Sequence, residues 1–232
     1  MSDFTSVRIS DGTEMRVYVA RPPSGKGPAI LVFQEAFGVN AHIRDVTERF
    51  AKLGYLAAAP EVFHRSAPPG FEGNYSDFPS VQPHMKAMTN EGLEADIRAT
   101  FELLRNDNAC NGRFASIGFC MGGRVSYLAN SILPLGAAVS FYGGGIAPGL
   151  LDRAPRQNAP ILLFWGGLDK HIGEEQRGAI RDALTKSSKP FVEALFSFAD
   201  HGFFCDARPS YNPEAARDSW TLTTSFLAGN LR

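Results

Sequence analysis

The sequence predicts one α/β domain built on a mostly parallel sheet. Short apolar runs alternate with stretches of helical periodicity, which is the pattern of such a sheet with helices on both faces. The run AILVFQ (29–34) is apolar without alternation, as expected of a strand buried on both faces. A length of 232 residues is normal for a single α/β domain, so we expect one domain over 1–232.

The predicted elements follow one another regularly from the N-terminus. SVRIS and EMRVYVA flank DGT and predict an antiparallel hairpin. A helix is predicted at 42–54, because apolar residues recur at helical spacing from Ile43 to Leu53 and Gly54 can end it. The other predicted strands lie at 55–60, 113–119, 136–142, 160–166 and 190–196, and the other predicted helices at 92–105, 121–130, 173–186 and 212–231.

Residues 61–90 interrupt this alternation. The segment is irregular in pattern and rich in proline, histidine and aromatic residues. A long irregular segment in a compact domain is often functional, so we expect a lid or a binding loop. The alternative is a flexible insertion without a role in binding.

The composition excludes several classes of protein. A formal net charge of −1 gives no electrostatic reason to bind nucleic acid or an anionic membrane. No apolar run approaches the ~20 residues that span a bilayer, and the first residues are not of signal-peptide type, so we expect a cytoplasmic protein. The three cysteines form no CxxC pair, which argues against a disulfide framework or a zinc site. We expect Cys110 in a loop and Cys205 packed near a pocket.

The segment GFCMGG, Gly118 to Gly123, has the pattern of a nucleophile elbow. In that motif a nucleophile lies between two glycines, at a sharp turn from a strand into a helix. The glycines avoid clashes at the turn. RFASIGF precedes Cys120 and GGRVSYLAN follows it, so the context is the one that the motif requires. The alternative is a buried structural cysteine.

An elbow position would favour catalysis by Cys120 in two ways. The N-terminus of the following helix favours the thiolate, which is the nucleophilic form. The backbone N–H of Met121 would point to the place where the oxyanion of a substrate forms. A cysteine alone could equally serve redox chemistry or packing, so a catalyst needs a base and an orienting acid as well.

Asp169 and His201 complete a predicted triad. In α/β-hydrolases the nucleophile, the acid and the histidine follow in that order, each after a later strand. PILLFWG runs towards Asp169, and PFVEALF runs towards His201. His201 would take the thiol proton, and Asp169 would fix the tautomer and orientation of the imidazole.

The other four histidines are assigned lesser roles. We expect His42 near a solvated helix cap and His171 at the surface or at a cap. His64 and His84 lie in the irregular segment and could contact substrate. Only His201 follows the last strand in the required order.

Glu35 is an unusual residue at the end of an apolar strand. Next to apolar neighbours its carboxylate would be partly desolvated. It could hold or accept a proton from Cys120 and so tune the reactivity of the thiol. The alternative is an ion pair with an arginine such as Arg124.

Together these motifs resemble those of the dienelactone hydrolases, or carboxymethylenebutenolidases. The matching segments are QEAFGVN, GFCMGG, GLDKHIG and DHGFFCDARPSYNPEAARDSW, which extend from about Leu31 to the final helix. The combination of QE-x-FG with GFC-x-GG is much more specific than either motif alone. The resemblance implies an α/β-hydrolase fold with a mostly parallel central sheet of about eight strands.

The resemblance also implies a chemistry. Members of the family open lactones of the dienelactone type, formed in bacterial breakdown of chloroaromatic compounds, and they need no cofactor or metal. Their triad is Cys-His-Asp, and their glutamate, matched by Glu35, binds the resting thiol and takes part in activating it. The backbone N–H groups of Met121 and Ala36 would form the oxyanion hole.

The chain departs from the family in its arginines. The best-known members clamp the substrate carboxylate with two arginines, one before the nucleophile and one four residues after the catalytic histidine. Here 61–90 offers only Arg65, and the second position is Cys205, with Arg208 the nearest arginine. The candidate substrate-binding residues are Arg208, Phe37, Tyr142 and Phe203.

The expected activity is hydrolysis of an enol lactone or activated ester through a thioester on Cys120. A carboxylesterase or thioesterase of broad specificity with the same triad is the first alternative. A non-catalytic thiol redox sensor is the second, although a sensor needs neither Asp169 nor His201. A binding or scaffold protein has no support in the sequence. The partner would be a small lactone or ester, with no nucleic acid or membrane, and the chain a monomer or small homo-oligomer.

Overall fold

The computed structural model describes residues 2–23 and 25–231. Its strands are β1 (Ser2–Arg8), β2 (Glu14–Ala20), β3 (Gly27–Phe33), β4 (Leu56–Pro60), β5 (Cys110–Phe119), β6 (Ala137–Phe141), β7 (Ile161–Gly166) and β8 (Phe191–Phe196). Its α-helices are α1 (Ala41–Lys52), α2 (Phe78–Ala87), α3 (Asn90–Arg105), α4 (Met121–Ile132), α5 (Glu174–Lys186) and α6 (Pro213–Asn230), and a 3₁₀ helix spans Leu151–Arg156. Within the described residues, no helix combines the length and the apolar character needed to cross a membrane.

The strands form a mostly parallel sheet of eight, in the order β1-β2-β4-β3-β5-β6-β7-β8. β3 and β4 pair in parallel, as do β6 with β7 and β7 with β8. β1 pairs antiparallel with β2, from Ser2 opposite Ala20 to Arg8 opposite Glu14, and β2 pairs antiparallel with β4. The predicted hairpin and the mostly parallel sheet are confirmed.

The chain divides into two compact units, Met1–Ala115 and Ser116–Arg232. In the first unit, α1 buries its stripe Ile43, Val46 and Phe50. Each buried side chain of this kind contributes about 1.5–3 kcal/mol to folding. Leu53 was expected on the same stripe, but it is exposed, because α1 ends one residue before it.

The segment 61–90 is less irregular than predicted, because it contains α2. A proline in the first turn and a second inside the helix conceal α2 from an interpretation based on propensity. Val81 of α2 is buried against Ala36 and Phe37. The segment therefore covers the turn after β3 that carries Glu35, and its role as a lid or binding loop stays a prediction.

A buried charge network anchors the start of this segment to α3. Asp96 of α3 is fully buried and accepts two hydrogen bonds from the guanidinium of Arg65, at 2.8 and 2.9 Å. Nε2 of His64 lies 3.1 Å from the same carboxylate. Nε of Arg65 donates to Asp11 at 2.7 Å. Arg65 is thus held between two carboxylates.

The second unit has an aromatic core centred on Phe141, the last residue of β6. Five ring centroids lie 4.4–6.1 Å from that of Phe141, those of Phe119, Tyr142, Phe164, Phe203 and Phe204. Aromatic pairs at such distances contribute about 0.5–1.5 kcal/mol each beyond the area they bury. These rings pack at the ends of β5 and β6, which Cys120 and Tyr142 directly follow.

Replacing Asp96 by asparagine should lower the stability of the protein strongly. The change removes the anionic partner of the partly exposed Arg65 and replaces a buried carboxylate oxygen, which accepts hydrogen bonds, by an amide, so we expect a loss of about 1–3 kcal/mol. Urea denaturation followed by circular dichroism measures the loss. Asp11→Asn is the matched control, because Asp11 binds the same guanidinium at the surface and its loss should shift the midpoint far less. Equal losses for the two variants would contradict the assignment of the stability to the buried pair.

Candidate active site

Cys120 lies at the turn between β5 and α4 in a backbone conformation that few side chains tolerate. Its φ is 56° and its ψ −122°, and α4 begins at the next residue. Such conformations cost of order 1–3 kcal/mol and persist only where the surroundings determine them. Here the N–H of Cys120 donates to the carbonyl of Phe141 at 3.0 Å, and the carbonyl of Cys120 accepts from the N–H of Gly123 at 3.0 Å. The sharp turn expected from GFCMGG is present.

Two glycines of this turn are required because backbones meet there. A Cβ on Gly118 would lie 1.8 Å from the carbonyl oxygen of Gly122. A Cβ on Gly123 would lie 2.8 Å from the carbonyl oxygen of Phe141 and 2.8 Å from Cα of Gly143. A side chain at either position would clash with these backbone atoms and displace α4, so both positions require glycine.

His201 lies within hydrogen-bonding distance of both Cys120 and Asp169. Its Nε2 is 3.2 Å from Sγ of Cys120, and its Nδ1 is 2.8 Å from Oδ2 of Asp169. The acid follows β7 and the histidine follows β8, as the sequence predicts. Because Nδ1 is turned to the carboxylate, Nε2 faces the sulfur, which is the orientation in which an imidazole can take a thiol proton.

Asp169 is almost fully buried and is held by the backbone that follows it. Its Oδ1 accepts hydrogen bonds from the N–H groups of His171 at 2.7 Å and Ile172 at 3.2 Å. Burial raises the pKa of this carboxyl, but the hydrogen bond and charge of His201, together with these N–H groups, leave the pKa below its ordinary value. Asp169 is therefore ionised at neutral pH and orients the imidazole.

The protonation of His201 is set by its two partners. Burial lowers its pKa, but the negative charge at Cys120 and the hydrogen bond and charge of Asp169 outweigh burial and raise the pKa to about 10. An imidazolium beside the sulfur is thus the favoured arrangement at neutral pH. Such pairing is a known way to make a cysteine nucleophilic.

Two further rings lie against the imidazole of His201. The ring centroid of Tyr142 is 5.0 Å away, and that of His171 is 5.4 Å away in an edge-to-face arrangement. Tyr142 is fully buried, whereas His171 is exposed as predicted. The sequence analysis missed the contact of His171 with His201. Its position two residues after the predicted acid is the signal that could have indicated it.

The remaining candidate residues of the second unit, Phe203 and Arg208, lie close to Tyr142 and to Gly202. Phe203 is fully buried, and its ring centroid lies 5.2 Å from that of Tyr142. The guanidinium of Arg208 lies over Gly202, where an added Cβ would be 2.3 Å from Nη1. Arg208 is therefore beside the residue that follows His201. Contact of these residues with a substrate stays a prediction.

The candidate residues of the first unit lie after β3. Glu35, Ala36 and Phe37 are all buried. The ring of Phe37 packs on that of Tyr75, with centroids 4.6 Å apart, and the carbonyl of Phe37 accepts the N–H of Gly73 at 3.0 Å. The segment after β3 is thus fixed by residues of 61–90, and its roles in catalysis and binding stay predictions.

Three expectations about single residues need correction or narrowing. His42 is buried rather than solvated, because the first turn of α1 packs inward. Cys110 is the first residue of β5 and not part of a loop. Arg65 is engaged by Asp96 and Asp11, so its guanidinium is not free to clamp a substrate carboxylate.

Comparisons with known proteins show to which family this chain belongs. The model of the dienelactone hydrolase family matches residues 15–231. This chain belongs to the dienelactone hydrolase family. A Synechocystis protein named "Putative carboxymethylenebutenolidase" is 40% identical over 226 residues, which cover 93% of this chain and 92% of the relative. The crystal structure of a "Putative Dienelactone Hydrolase" from Klebsiella pneumoniae is similar with a TM-score of 0.89 and 31% identity, covering 98% of each chain.

More distant structures share the fold alone. An acylaminoacyl peptidase from Pyrococcus horikoshii is 18% identical, with a TM-score of 0.77 over 99% of this chain and 41% of the peptidase. The family and the α/β-hydrolase fold expected from the sequence are confirmed. As a member of the dienelactone hydrolase family, the chain is a carboxylic ester hydrolase.

Removing the sulfur should lower the pKa of His201. In Cys120→Ala the imidazole keeps Asp169 but loses the negative charge that raises its pKa to about 10. NMR of the His201 ring from about pH 5 to about pH 11 gives the titration midpoint, which should fall towards the ordinary value of about 6.5. Cys110→Ala is the control and should leave the midpoint unchanged. A midpoint near 10 in Cys120→Ala would show that the sulfur does not set the pKa.

Proposed function

We propose that this hydrolase opens enol lactones or activated carboxylic esters through a thioester on Cys120. The observation that carries the proposal is the chain of contacts from Sγ of Cys120 to His201 at 3.2 Å and from His201 to Asp169 at 2.8 Å. The thiolate attacks the carbonyl carbon, and the tetrahedral intermediate collapses as the C–O bond breaks and the leaving enolate or alkoxide takes the proton of the His201 imidazolium, which becomes neutral. A water that gives its proton to His201 then hydrolyses the thioester.

Backbone N–H groups would stabilise the oxyanion in both steps. Met121 is the first residue of α4, so its N–H belongs to the first turn, where helical N–H groups have no partner within the helix. The second donor would be the N–H of Ala36, on the resemblance to the family. Donors fixed in place before the reaction are worth about 2.7–4 kcal/mol each in enzymes of this type.

The leaving group decides which acyl compounds react. A thiolate departs from a tetrahedral intermediate more readily than an unprotonated amine, so the intermediate formed with an amide favours return to the substrate. Enolates and activated alkoxides compete better with the thiolate. The proposed substrates are therefore activated esters and enol lactones rather than peptides.

Arg208 is the proposed contact for a negatively charged group on the substrate. Its guanidinium lies beside the residue after His201, whereas Arg65 is held by two carboxylates. Guanidinium groups bind carboxylates with two parallel hydrogen bonds, which other side chains do not reproduce. Apolar parts of the substrate would meet Phe37 and Phe203.

A broad-specificity carboxylesterase or thioesterase is the second candidate, and one observation favours it. The arginine of 61–90 is engaged by Asp96 and Asp11, so the two-arginine clamp of the best-known dienelactone hydrolases is incomplete in this chain. An ester without a carboxylate would not need that clamp. The two candidates share the triad and differ only in the substrate.

The first test compares wild type with Cys120→Ala on dienelactone and on p-nitrophenyl acetate. We expect the variant to lose at least about a thousandfold in kcat on whichever substrate the wild type cleaves, because nothing replaces the nucleophile. Cys110→Ala is the matched control, since it removes a thiol outside the triad and should keep the activity. Intact-mass spectrometry of the wild type with p-nitrophenyl acetate should show a single acetyl adduct that is absent from Cys120→Ala.

The outcomes separate the candidates. Efficient opening of dienelactone supports the lactone hydrolase, with Arg208 binding the carboxylate. Cleavage of the simple ester alone supports the broad esterase. Full activity of Cys120→Ala would overturn both, and a wild type inactive on both substrates would favour a thiol that responds to oxidation.

Glu35 is proposed to take part in activating the thiol, on the resemblance to the family and on its complete burial. Glu35→Gln keeps the shape of the side chain and removes its ability to ionise, so kcat on p-nitrophenyl acetate should fall at least about tenfold, as for loss of a general acid or base. Glu61→Gln is the matched control, because Glu61 is another buried carboxylate and accepts the N–H of Gly70 at 3.1 Å. Equal rates for the two variants would remove Glu35 from the mechanism.

A further inference from the structure

We infer that Tyr142 is a positioning residue, which holds the imidazole of His201 in place for its reaction with Cys120. The inference rests on the proposed function. It concerns what fixes the position of the His201 imidazole relative to the sulfur of Cys120. Three observations support the inference. They are the backbone conformation of Tyr142, the packing of its ring, and the hydrogen bond that the N–H of Cys120 donates to the carbonyl of Phe141.

The backbone of Tyr142 is strained and fixed. Tyr142 directly follows β6 and has a φ of 38°, which is unfavourable for a bulky side chain. Its N–H donates to the carbonyl of Phe164 in β7 at 2.8 Å. A strained residue persists only where its surroundings determine it, and such residues concentrate at functional sites. Here the conformation directs a buried aromatic ring towards His201.

The ring of Tyr142 is held by other rings and supports the imidazole. It is fully buried and lies 5.2 Å from the ring of Phe203 and 6.0 Å from that of Phe141. The imidazole of His201 lies 5.0 Å away, tilted by 59°. An aromatic ring attracts a nearby cation, so this contact also favours the protonated imidazole.

The end of β6 holds both members of the reacting pair. Phe141 accepts the N–H of Cys120 at 3.0 Å, and Tyr142, the next residue, contacts His201. The two strained residues, Cys120 and Tyr142, are therefore joined through one hydrogen bond. A shift of this dipeptide would move the sulfur and the imidazole by different amounts and change the 3.2 Å between Sγ and Nε2.

The ring on the other side of His201 is less suited to this role. His171 also lies against the imidazole, at 5.4 Å, but it is exposed to solvent. An exposed side chain retains rotamer freedom that a fully buried ring has lost. The ring of Tyr142, rather than that of His171, thus fixes the position of the His201 imidazole.

The experiment compares Tyr142→Phe, which keeps the ring, with Tyr142→Leu, which removes it. Phe164→Leu is the matched control, because Phe164 is a fully buried ring of the same core and packs on Phe141 at 4.4 Å. The measurements are kcat and KM on p-nitrophenyl acetate, the melting temperature, and the pH dependence of alkylation of Cys120 by iodoacetamide. Alkylation reports the reactive sulfur without requiring turnover.

We expect Tyr142→Phe to retain kcat within about threefold, and Tyr142→Leu to lose about 10- to 100-fold in kcat with little change in KM, as for a misplaced catalytic group. The pH profile of alkylation in Tyr142→Leu should differ from that of the wild type, because the imidazole is no longer held at a fixed distance from the sulfur. Phe164→Leu should lower the melting temperature by a similar amount while keeping the wild-type profile. Tyr142→Phe should restore both kcat and the profile.

A wild-type kcat and alkylation profile in Tyr142→Leu would overturn the inference, as would the same changes in Phe164→Leu. Should Tyr142→Leu fail to fold, Tyr142→Met supplies a flexible side chain of similar size for the same measurements. Independently of any variant, wild-type NMR should show nuclear Overhauser contacts between the rings of Tyr142 and His201, and their absence would overturn the inference. Failure of the proposed function is distinguishable, because it appears as activity retained by Cys120→Ala.

Discussion

The hydrogen bond from the N–H of Cys120 to the carbonyl of Phe141 is the interaction on which the site depends. It holds Cys120 in a backbone conformation that a free chain would leave, since the positive φ of Cys120 is costly. The hydrogen bond can form because Gly118 and Gly123 have no Cβ. At these positions a Cβ would clash with the backbone of Gly122 and of Phe141, respectively. The rings of Phe119 and Phe204, which pack on Phe141, then supply the rigidity that the strained turn needs.

The electrostatics of the site follow from the same arrangement. A turn that presents the sulfur to Nε2 places a negative charge beside an imidazole whose other nitrogen faces Asp169. Burial alone would keep His201 neutral, but two anionic neighbours reverse that preference and raise its pKa to about 10. The acid in turn is stabilised by backbone N–H groups of the turn after β7, so the charges are supported mainly by main-chain atoms.

Sequence patterns predicted those parts of the molecule that depend on local periodicity and on motif spacing. The hairpin, most strand and helix positions, and the proximity of Cys120, His201 and Asp169 follow from alternation, from glycines and from chain order. α2 was missed because its prolines contradict helix propensity, while the burial of Val81 against Phe37 compensates in three dimensions. The contact of Tyr142 with His201 joins residues distant along the chain, and no local pattern reports such packing.

The engagement of Arg65 by Asp96 has a consequence for how the substrate range of this protein can evolve. The guanidinium sits in a network that ties the segment 61–90 to α3, with Asp96 buried at its centre. Releasing Arg65 to meet a new ligand would remove one half of a buried ion pair, so a gain in recognition would be opposed by a loss in folding. Adaptation at this position therefore requires a prior stabilising change elsewhere in the protein.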